Sequence, residues 1–236
     1  MKSVSAARKV MAEAIGTAFL LAAIVGSGIM AERLSAGNVA LALLANTIAT
    51  GAALVALILT FGPISGAHFN PAVTFADATQ KGVPWRLVPA YIGAQCLGAI
   101  LGVYSAHLMF GQSLIQLSQH SRSGQAQLFS EFVASFGLLS VIWGCSRTRL
   151  SAVPFAVGAY ITAAYWFTAS TAFANPAVTI GRSFTNTFSG IRPADAPGFI
   201  AMQFLGALGA TLLFRWLAPA IPETADKLLV PHENIG

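Results

Sequence analysis

One pentapeptide occurs twice in this chain of 236 residues, and no other feature constrains the fold as strongly. Asn-Pro-Ala-Val-Thr stands at 70–74 and again at 175–179, 105 positions later. Asn followed by Pro is typical of a helix start, because Asn caps free backbone amides and Pro fits the first helical turn. About ten mostly apolar residues follow each copy, roughly 15 Å of helix, or half of a hydrocarbon layer roughly 30 Å thick. Two capped surface helices are the ordinary alternative, but an identical repeat in an apolar chain favours two half-helices that meet at their Asn caps.

The composition indicates that the surface faces lipid. Hydrophobic residues make up 56% of the chain and charged residues only 9%, whereas a soluble domain carries about 25% charged residues. The net charge of +5 does not indicate a nucleic-acid partner, because the basic residues are scattered between apolar segments, as they are beside membrane spans. Cys96 and Cys145 lie in or at the end of apolar segments without paired spacing, which favours packing over a disulfide or a metal site.

Six apolar runs are long enough to cross a membrane. The first contains Glu13 and is too long for the apolar region of a signal peptide, so we interpret it as a span. A polar connection rich in Gln and Ser separates the third run from the fourth. The expected spans are about 10–31, 38–61, 84–110, 125–146, 150–167 and 196–217, with half-helices at 70–79 and 175–186 and a polar tail at 218–236.

The distribution of Lys and Arg predicts the orientation of these spans. Nine basic residues fall on one side of the membrane and four on the other, which places both termini in the cytoplasm. The first half-helix then enters from the cytoplasm and the second from outside. The larger group is Lys2, Arg8, Lys9, Lys81, Arg86, Arg147, Arg149, Arg215 and Lys227, and the smaller is Arg33, Arg122, Arg182 and Arg192.

The repeat extends beyond the pentapeptide. Glu13 in the first span corresponds to Glu131 in the fourth, and Gln95 in the third span corresponds to Gln203 in the sixth. Each half holds three spans and one half-helix, and an odd number of spans gives the halves opposite topology. We therefore expect an all-α membrane protein built as an inverted repeat, with halves at 1–110 and 125–217 and a cytoplasmic tail at 218–236.

The paired polar residues have two possible roles. An ionisable residue inside a span is a functional candidate, but the symmetric placement of Glu13 and Glu131 favours acceptance of hydrogen bonds from the loop before each box over proton transfer. Gln95 and Gln203 are expected to fasten spans together. Close approach of the spans is expected at Gly16, Gly98, Gly102, Gly206 and Gly209.

These motifs resemble the aquaporin, or major intrinsic protein, family. The resemblance covers roughly residues 10–217 and implies a right-handed bundle of six helices with two half-helices, a pore in each subunit, homotetramers in the lipid bilayer, no cofactor and passive conduction of water or small neutral solutes. The half-helices would direct the positive ends of their dipoles at the bilayer centre and repel cations, while the Asn amides donate to a passing solute. The box residues are Asn70, Pro71, Ala72, Asn175, Pro176 and Ala177.

The sequence departs from the family at the narrowest ring of the pore. Water and glycerol channels of the family carry an arginine three residues after the second Asn, where this chain has Val178. The other ring positions fall on Thr50, Ala163 and Ala172, and a slip of one or two residues is open in the fifth span. All four residues are small, with no aromatic and no charge, which predicts a wide and less polar ring.

Two further residues carry alternatives that the sequence leaves open. Arg182 lies one helical turn beyond Val178 and reaches the outer mouth of the pore or anchors a headgroup or loop. His68 resembles a pore-lining position of the family, or it is a hydrogen-bonding residue of the loop. Asp77 occupies the offset that matches Arg182 after the first box.

A wide uncharged ring, with the Asn46–Gly51 segment and the second box, resembles the bacterial branch of the family associated with arsenic resistance. This resemblance implies a channel in the bacterial inner membrane for trivalent arsenicals and glycerol-like solutes. A water or glycerol channel without an arsenical role is the alternative, and an ion-coupled secondary transporter is a more distant one. An enzyme is not expected, because His68, His107, His120 and His232 lie on separate segments.

Overall fold

The computed structural model describes residues 4–217, and all the regular secondary structure in this part of the chain is helical. The tail at 218–236, with Lys227 and His232, lies outside the described residues, as does Lys2. Short 3₁₀ turns at Trp85–Leu87 and Leu150–Ala152 precede two of the helices. The helices are α1 (Ala6–Leu34), α2 (Val39–Ser65), α3 (Pro71–Thr79), α4 (Val88–Phe110), α5 (Gln125–Thr148), α6 (Val153–Phe167), α7 (Pro176–Arg182) and α8 (Ala196–Leu217).

Six of these segments are long and apolar enough to cross a membrane, so the prediction of six spans with two shorter helices is confirmed. Several boundaries differ from the expected ones, and α1 is longer at both ends, from Ala6 to Leu34 instead of about 10–31. Helix α2 continues through Pro63 to Ser65, where the Ser65 hydroxyl donates to Glu13 at 2.6 Å and Gly66 ends the helix at φ +91°. Helix α7 ends at Arg182 rather than at 186. In the residues that follow, the Ser183 hydroxyl donates to the Thr179 carbonyl, and the Thr185 and Thr187 hydroxyls bond to each other, local bonds that compete with helix continuation.

The long helices pack closely where glycine removes a side chain. Gly98 on α4 lies directly against the carbonyl oxygen of Ala14 on α1, and Gly206 on α8 lies against the carbonyl oxygen of Phe132 on α5. A Cβ at either glycine would collide with backbone. Since these two contacts join equivalent helices of the two halves, the same close crossing is built twice.

The two halves also contact each other reciprocally. Gly51 on α2 faces the carbonyl of Gly158 on α6, and Gly158 faces the carbonyl of Gly51. In a reciprocal contact of this kind, each partner offers the same surface to the other, as at a two-fold axis. The repeat seen in the sequence is therefore also a repeat of packing.

Candidate functional site

The two pentapeptides meet at the centre of the molecule. Each Asn caps its own short helix: the Oδ1 atom of Asn70 accepts from the Ala72 amide and that of Asn175 from the Ala177 amide, both at 2.9 Å. Each side-chain amide then donates across to the other half, from Asn70 to the Ala174 carbonyl at 2.8 Å and from Asn175 to the Phe69 carbonyl at 2.7 Å. An amide NH₂ group has two hydrogens, so each Asn keeps one that is not used in this crossing.

The loops that lead into the boxes share an unusual backbone. Ala67 and Phe69 have φ of +49° and +50°, and their counterparts Ala172 and Ala174 have +47° and +50°. Left-handed conformations are costly for residues with a side chain and persist only where the surroundings impose them. The same positions relative to the Asn are affected in both halves, so the strained loop is part of the repeated design.

Two buried carboxylates hold these loops. Glu13 accepts from the His68 amide at 3.0 Å and from the Phe69 amide at 2.7 Å. Glu131 accepts from the Phe173 and Ala174 amides, both at 2.9 Å. The contacts to loop amides are those expected from the sequence, and they satisfy backbone donors that have no helix or sheet partner.

The two glutamines complete these networks. Gln95 donates to Glu13 at 2.8 Å and to Thr74 at 2.9 Å. Gln203 donates to Glu131 at 2.6 Å and to Thr179 at 2.8 Å. Each glutamine therefore ties its own long helix to the glutamate on a second long helix and to the short helix of the same half.

A cavity of about 60 Å³ passes the two Asn residues, which is room for a few water-sized molecules in a file. Its wall consists of four helical stripes with four-residue spacing, so each stripe is one face of a helix. Positions on α5 and α6 follow those on α1 and α2 by constant offsets of 118 and 107. The stripes are Leu20 and Ile24 on α1, Thr50, Leu54 and Ile58 on α2, Leu138 and Ile142 on α5, and Val157, Ile161 and Tyr165 on α6.

One end of the cavity contains most of the expected ring, but with one correction. Thr50, Ala172 and Val178 line the cavity. The prediction that Ala163 lines it is wrong, because Ala163 is exposed on the outer face of α6. Tyr165, two positions further on the same helix, lies in the wall and donates its hydroxyl to Thr50 at 3.3 Å. The ring therefore contains an aromatic hydroxyl, contrary to the prediction that no aromatic remains.

Arg182 lies in the wall at the same end. Arg182 is buried, with 2% of the residue exposed, so its position does not favour a headgroup anchor, while the alternative of a loop anchor stays open. Its Nε atom donates to the Ser189 carbonyl, and the Cζ atom lies 3.4 Å from the centre of the Phe173 ring. At the other end of the molecule, His68 lies in the cavity wall with Nε2 at 3.6 Å from Asp77 and Nδ1 at 3.1 Å from the Thr74 hydroxyl.

Tyr165 and Phe173 are site residues that were not predicted from the sequence. Their signals were present: Tyr165 follows Ile58 by the same 107 positions that separate Thr50 from Val157, and Phe173 stands two residues before the second Asn, as His68 stands before the first. Within residues 4–217, no three His, Cys, Asp or Glu side chains come together as a metal site.

Comparison with known proteins gives consistent findings. The family model described as Major intrinsic protein matches residues 1–164. The chain is 56% identical over 223 residues to aquaglyceroporin AqpS of Rhizobium meliloti, covering 94% of this chain and 95% of that protein. It is 40% identical over 144 residues to aquaporin NIP1-1 of rice, covering 60% of this chain and 50% of the plant protein.

Among solved structures, the X-ray structure of the aquaglyceroporin from Plasmodium falciparum aligns with a TM-score of 0.70 at 20% identity. The alignment covers 92% of this chain and 99% of that one. At this identity the likeness concerns the fold alone.

Proposed function

The chain belongs to the major intrinsic protein family, and from that premise we propose that it passes small uncharged polyhydroxy solutes, including glycerol and neutral trivalent arsenicals. It is a multi-pass membrane channel for small neutral solutes such as water and glycerol, and not an enzyme. What we propose is the finer selectivity, together with the roles of the wall residues.

The observation that supports a wide filter is Val178. It occupies the position where the resemblance places a guanidinium in water and glycerol channels, and it lines the cavity with 3% of the residue exposed. Ala172 in the facing loop is equally small. The Val178 ring, which we define as Thr50, Tyr165, Ala172 and Val178, therefore has two hydroxyls on one side and aliphatic groups on the other.

The chemistry of the wall fits an amphipathic solute. Leu, Ile and Val side chains form most of the surface. Polar groups occur at separate points: the Thr50 and Tyr165 hydroxyls, the Asn70 and Asn175 amides, the His68 ring and the Arg182 guanidinium. Glycerol and arsenous acid each present several hydroxyls on a compact uncharged frame. Such a solute exchanges hydration for hydrogen bonds at those points while its remaining surface contacts the apolar stripes.

The cysteines are also compatible with arsenical passage. Trivalent arsenic binds thiols, so a cysteine in the wall would retain the solute. Cys96 and Cys145 are the two cysteines of the chain; both are free and half-buried, and neither lines the cavity.

For the assembly, we propose a homotetramer with both termini in the cytoplasm of a bacterial inner membrane, and inverted halves at 1–110 and 125–217. The reciprocal bonds between Asn70 and Ala174 and between Asn175 and Phe69 support a two-fold relation between the halves. Three spans in each half support an axis in the membrane plane.

A secondary transporter is the alternative from another class. It would need a titratable or ion-binding site that changes with the transport cycle. Glu13 and Glu131 are the embedded carboxylates of the repeat, and each already accepts hydrogen bonds from two loop amides and one glutamine. This arrangement favours fixed support for the loops over coupling.

The proposal is tested by stopped-flow light scattering on proteoliposomes with water, glycerol, urea and neutral arsenite. We expect glycerol and arsenite influx well above that of protein-free liposomes, equal rates in both directions under mirrored gradients, and a low temperature dependence. Proton and sodium gradients should leave the rates unchanged. Water flux without glycerol or arsenite flux would contradict the wide filter, and a rate that follows an ion gradient would indicate the transporter instead.

A further inference from the structure

We propose that Arg182 is the filter cation of this channel, displaced one helical turn from the Val178 ring and held beside the solute path by Phe173. The inference rests on the channel function proposed above and assigns to one side chain the exclusion of cations at the Val178 end of the path.

Arg182 lies next to the Val178 ring along the cavity wall. Val178 and Arg182 lie on the same face of α7, four residues apart, and both line the cavity. A helix advances about 6 Å over four residues, so a guanidinium at 182 lies beside the path without filling the ring. This permits a wide ring and a fixed positive charge in the same channel.

Within the described part of the chain, the positive charge of Arg182 has no carboxylate in direct contact. Among residues 4–217, no carboxylate forms a salt bridge with Arg182. Its Nε atom has a backbone carbonyl, but its Nη1 atom is buried without a hydrogen-bond partner in the described chain. A buried guanidinium is costly unless its donors and its charge are used. Because Arg182 lines the cavity, a passing hydroxyl oxygen can accept a hydrogen bond from the guanidinium, and the positive charge, which has no carboxylate from residues 4–217 in direct contact, repels a passing cation.

The Phe173 ring supports the Arg182 guanidinium. Phe173 places its ring 3.4 Å from the Arg182 Cζ atom, and its own amide donates to Glu131. The ring packs edge-on against Phe199, with centroids 5.2 Å apart. Arg122 lies over the same ring at 5.0 Å and donates to the Gly190 carbonyl at 2.8 Å. The guanidinium thus lies on a fixed aromatic surface that disfavours its withdrawal from the path.

The pair Phe173 and Arg182 has a counterpart in the first half of the chain. Phe173 and Arg182 stand two residues before and seven after the second Asn; His68 and Asp77 have the same offsets from the first. The equivalent pair is also in contact, with His68 Nε2 3.6 Å from Asp77. The fold therefore sets an ionisable side chain against a ring at both ends, and the second half of this chain uses a cation there.

The test compares Arg182→Met and Arg182→Gln with wild type in liposomes carrying an internal pH-sensitive dye, with glycerol flux measured on the same preparations. Arg33→Met is the matched control: Arg33 also lies over a phenylalanine, Phe110, and donates to a backbone carbonyl, but it is exposed and outside the cavity. We expect proton and sodium leak to rise at least about tenfold in both Arg182 variants, because a unit charge a few Å from the path is strong at protein dielectric constants. Arg33→Met should stay at the wild-type level.

A second arm keeps the test independent of how well single variants reconstitute. The double variant Val178→Arg with Arg182→Met moves the positive charge from position 182 into the Val178 ring. In this variant cation exclusion should return, while glycerol flux should fall. If glycerol passes through the Arg182 variants with wild-type leak, Arg182 is not the filter cation and the channel proposal stands. If wild type itself passes no glycerol, the channel proposal fails instead. Leak in the double variant equal to that of Arg182→Met would also overturn the assignment.

Discussion

At the residue scale, the two Asn side chains do more than cap helices. Asn70 and Asn175 each accept from their own helix and donate to a carbonyl of the other half. The crossing fixes the distance between the two helix starts, where the positive ends of both dipoles meet. Each Asn side chain thus caps a helix, connects the two halves and sets the place where the two helix dipoles meet.

We predict that Asn70→Asp and Asn175→Asp each weaken cation exclusion and lower neutral-solute flux. A carboxylate can still cap the helix, but it cannot donate to the facing carbonyl, and its charge attracts cations. A buried acceptor left without its donor costs about 1–3 kcal/mol, so we expect flux to fall by about tenfold.

Asn38→Asp is the control, since Asn38 caps the exposed start of α2 by accepting from the Leu41 amide at 3.0 Å. Paired flux and dye-leak measurements decide the matter. Asn70 and Asn175 variants that conduct and exclude ions like wild type would show that the crossing does not form the barrier.

At the element scale, two connecting loops form a clasp over one end of the path. We define the outer clasp as the residues 111–124 and 183–195. The Ser118 amide donates to the Ser183 carbonyl at 3.0 Å, and the Arg192 amide donates to the His120 carbonyl at 2.7 Å. Asp195 joins both loops, accepting from the Arg122 amide at 2.8 Å and from the Arg192 guanidinium at 2.9 Å. Since Arg122 also lies over the aromatic ring of Phe173, the outer clasp supports the Phe173 side chain.

The charge of Asp195 makes the clasp sensitive to acid. Partial burial alone would raise the pKa of Asp195, but the hydrogen bonds from Arg192 and the Arg122 amide lower it below its usual value. A carboxyl with a lowered folded-state pKa stabilises the fold above its unfolded pKa of about 3.9, and this contribution disappears as the pH falls through the folded value. Burial also lowers the pKa of Arg122, which remains charged throughout this range.

We therefore predict that Asp195→Asn lowers the melting temperature in detergent by about 2–4 °C at pH 7, for a loss of about 1 kcal/mol. The difference from wild type should shrink as the pH falls below about 3.9 and the wild-type carboxyl becomes protonated. A difference that is the same at pH 7 and at pH 3 would indicate that the charge of Asp195 does not stabilise the clasp.

At the scale of the whole molecule, the path results from building one motif twice. Equivalent helices supply equivalent stripes of the cavity wall, and equivalent loops carry the same left-handed residues before each Asn. The halves differ where charge is concerned: His68 and Asp77 lie at one end, Phe173 and Arg182 at the other. The shared features make a path, and the unshared ones give its two ends different charged groups.

Much of this was predictable from the sequence because its causes are local or repeated. The six spans follow from the length and apolarity of the runs, and the loop contacts of Glu13 and Glu131 follow from their matched places. The wall residue on α6 was misplaced because family spacing fixes a helix face only to within a residue or two, and Ala163 and Tyr165 differ by two positions. The placement of Arg182 on Phe173 depends on the conformation of a long side chain, and residue spacing does not predict that conformation.

The central claim is that Val178 gives this channel a wide filter, and Val178→Arg tests it most directly. The variant places a guanidinium in the ring itself, in addition to that of Arg182 one turn away, and so adds bulk and hydrogen-bond donors. Val178→Leu adds bulk without charge and serves as the control. The measurement is paired flux of water, glycerol and a methylated trivalent arsenical through each protein in liposomes, normalised to protein content. We predict that Val178→Arg keeps water flux within about threefold of wild type and lowers the ratio of large-solute to water flux at least about tenfold, with Val178→Leu between the two. A ratio unchanged in Val178→Arg would show that Val178 does not line the constriction, and the wide-filter account would be wrong.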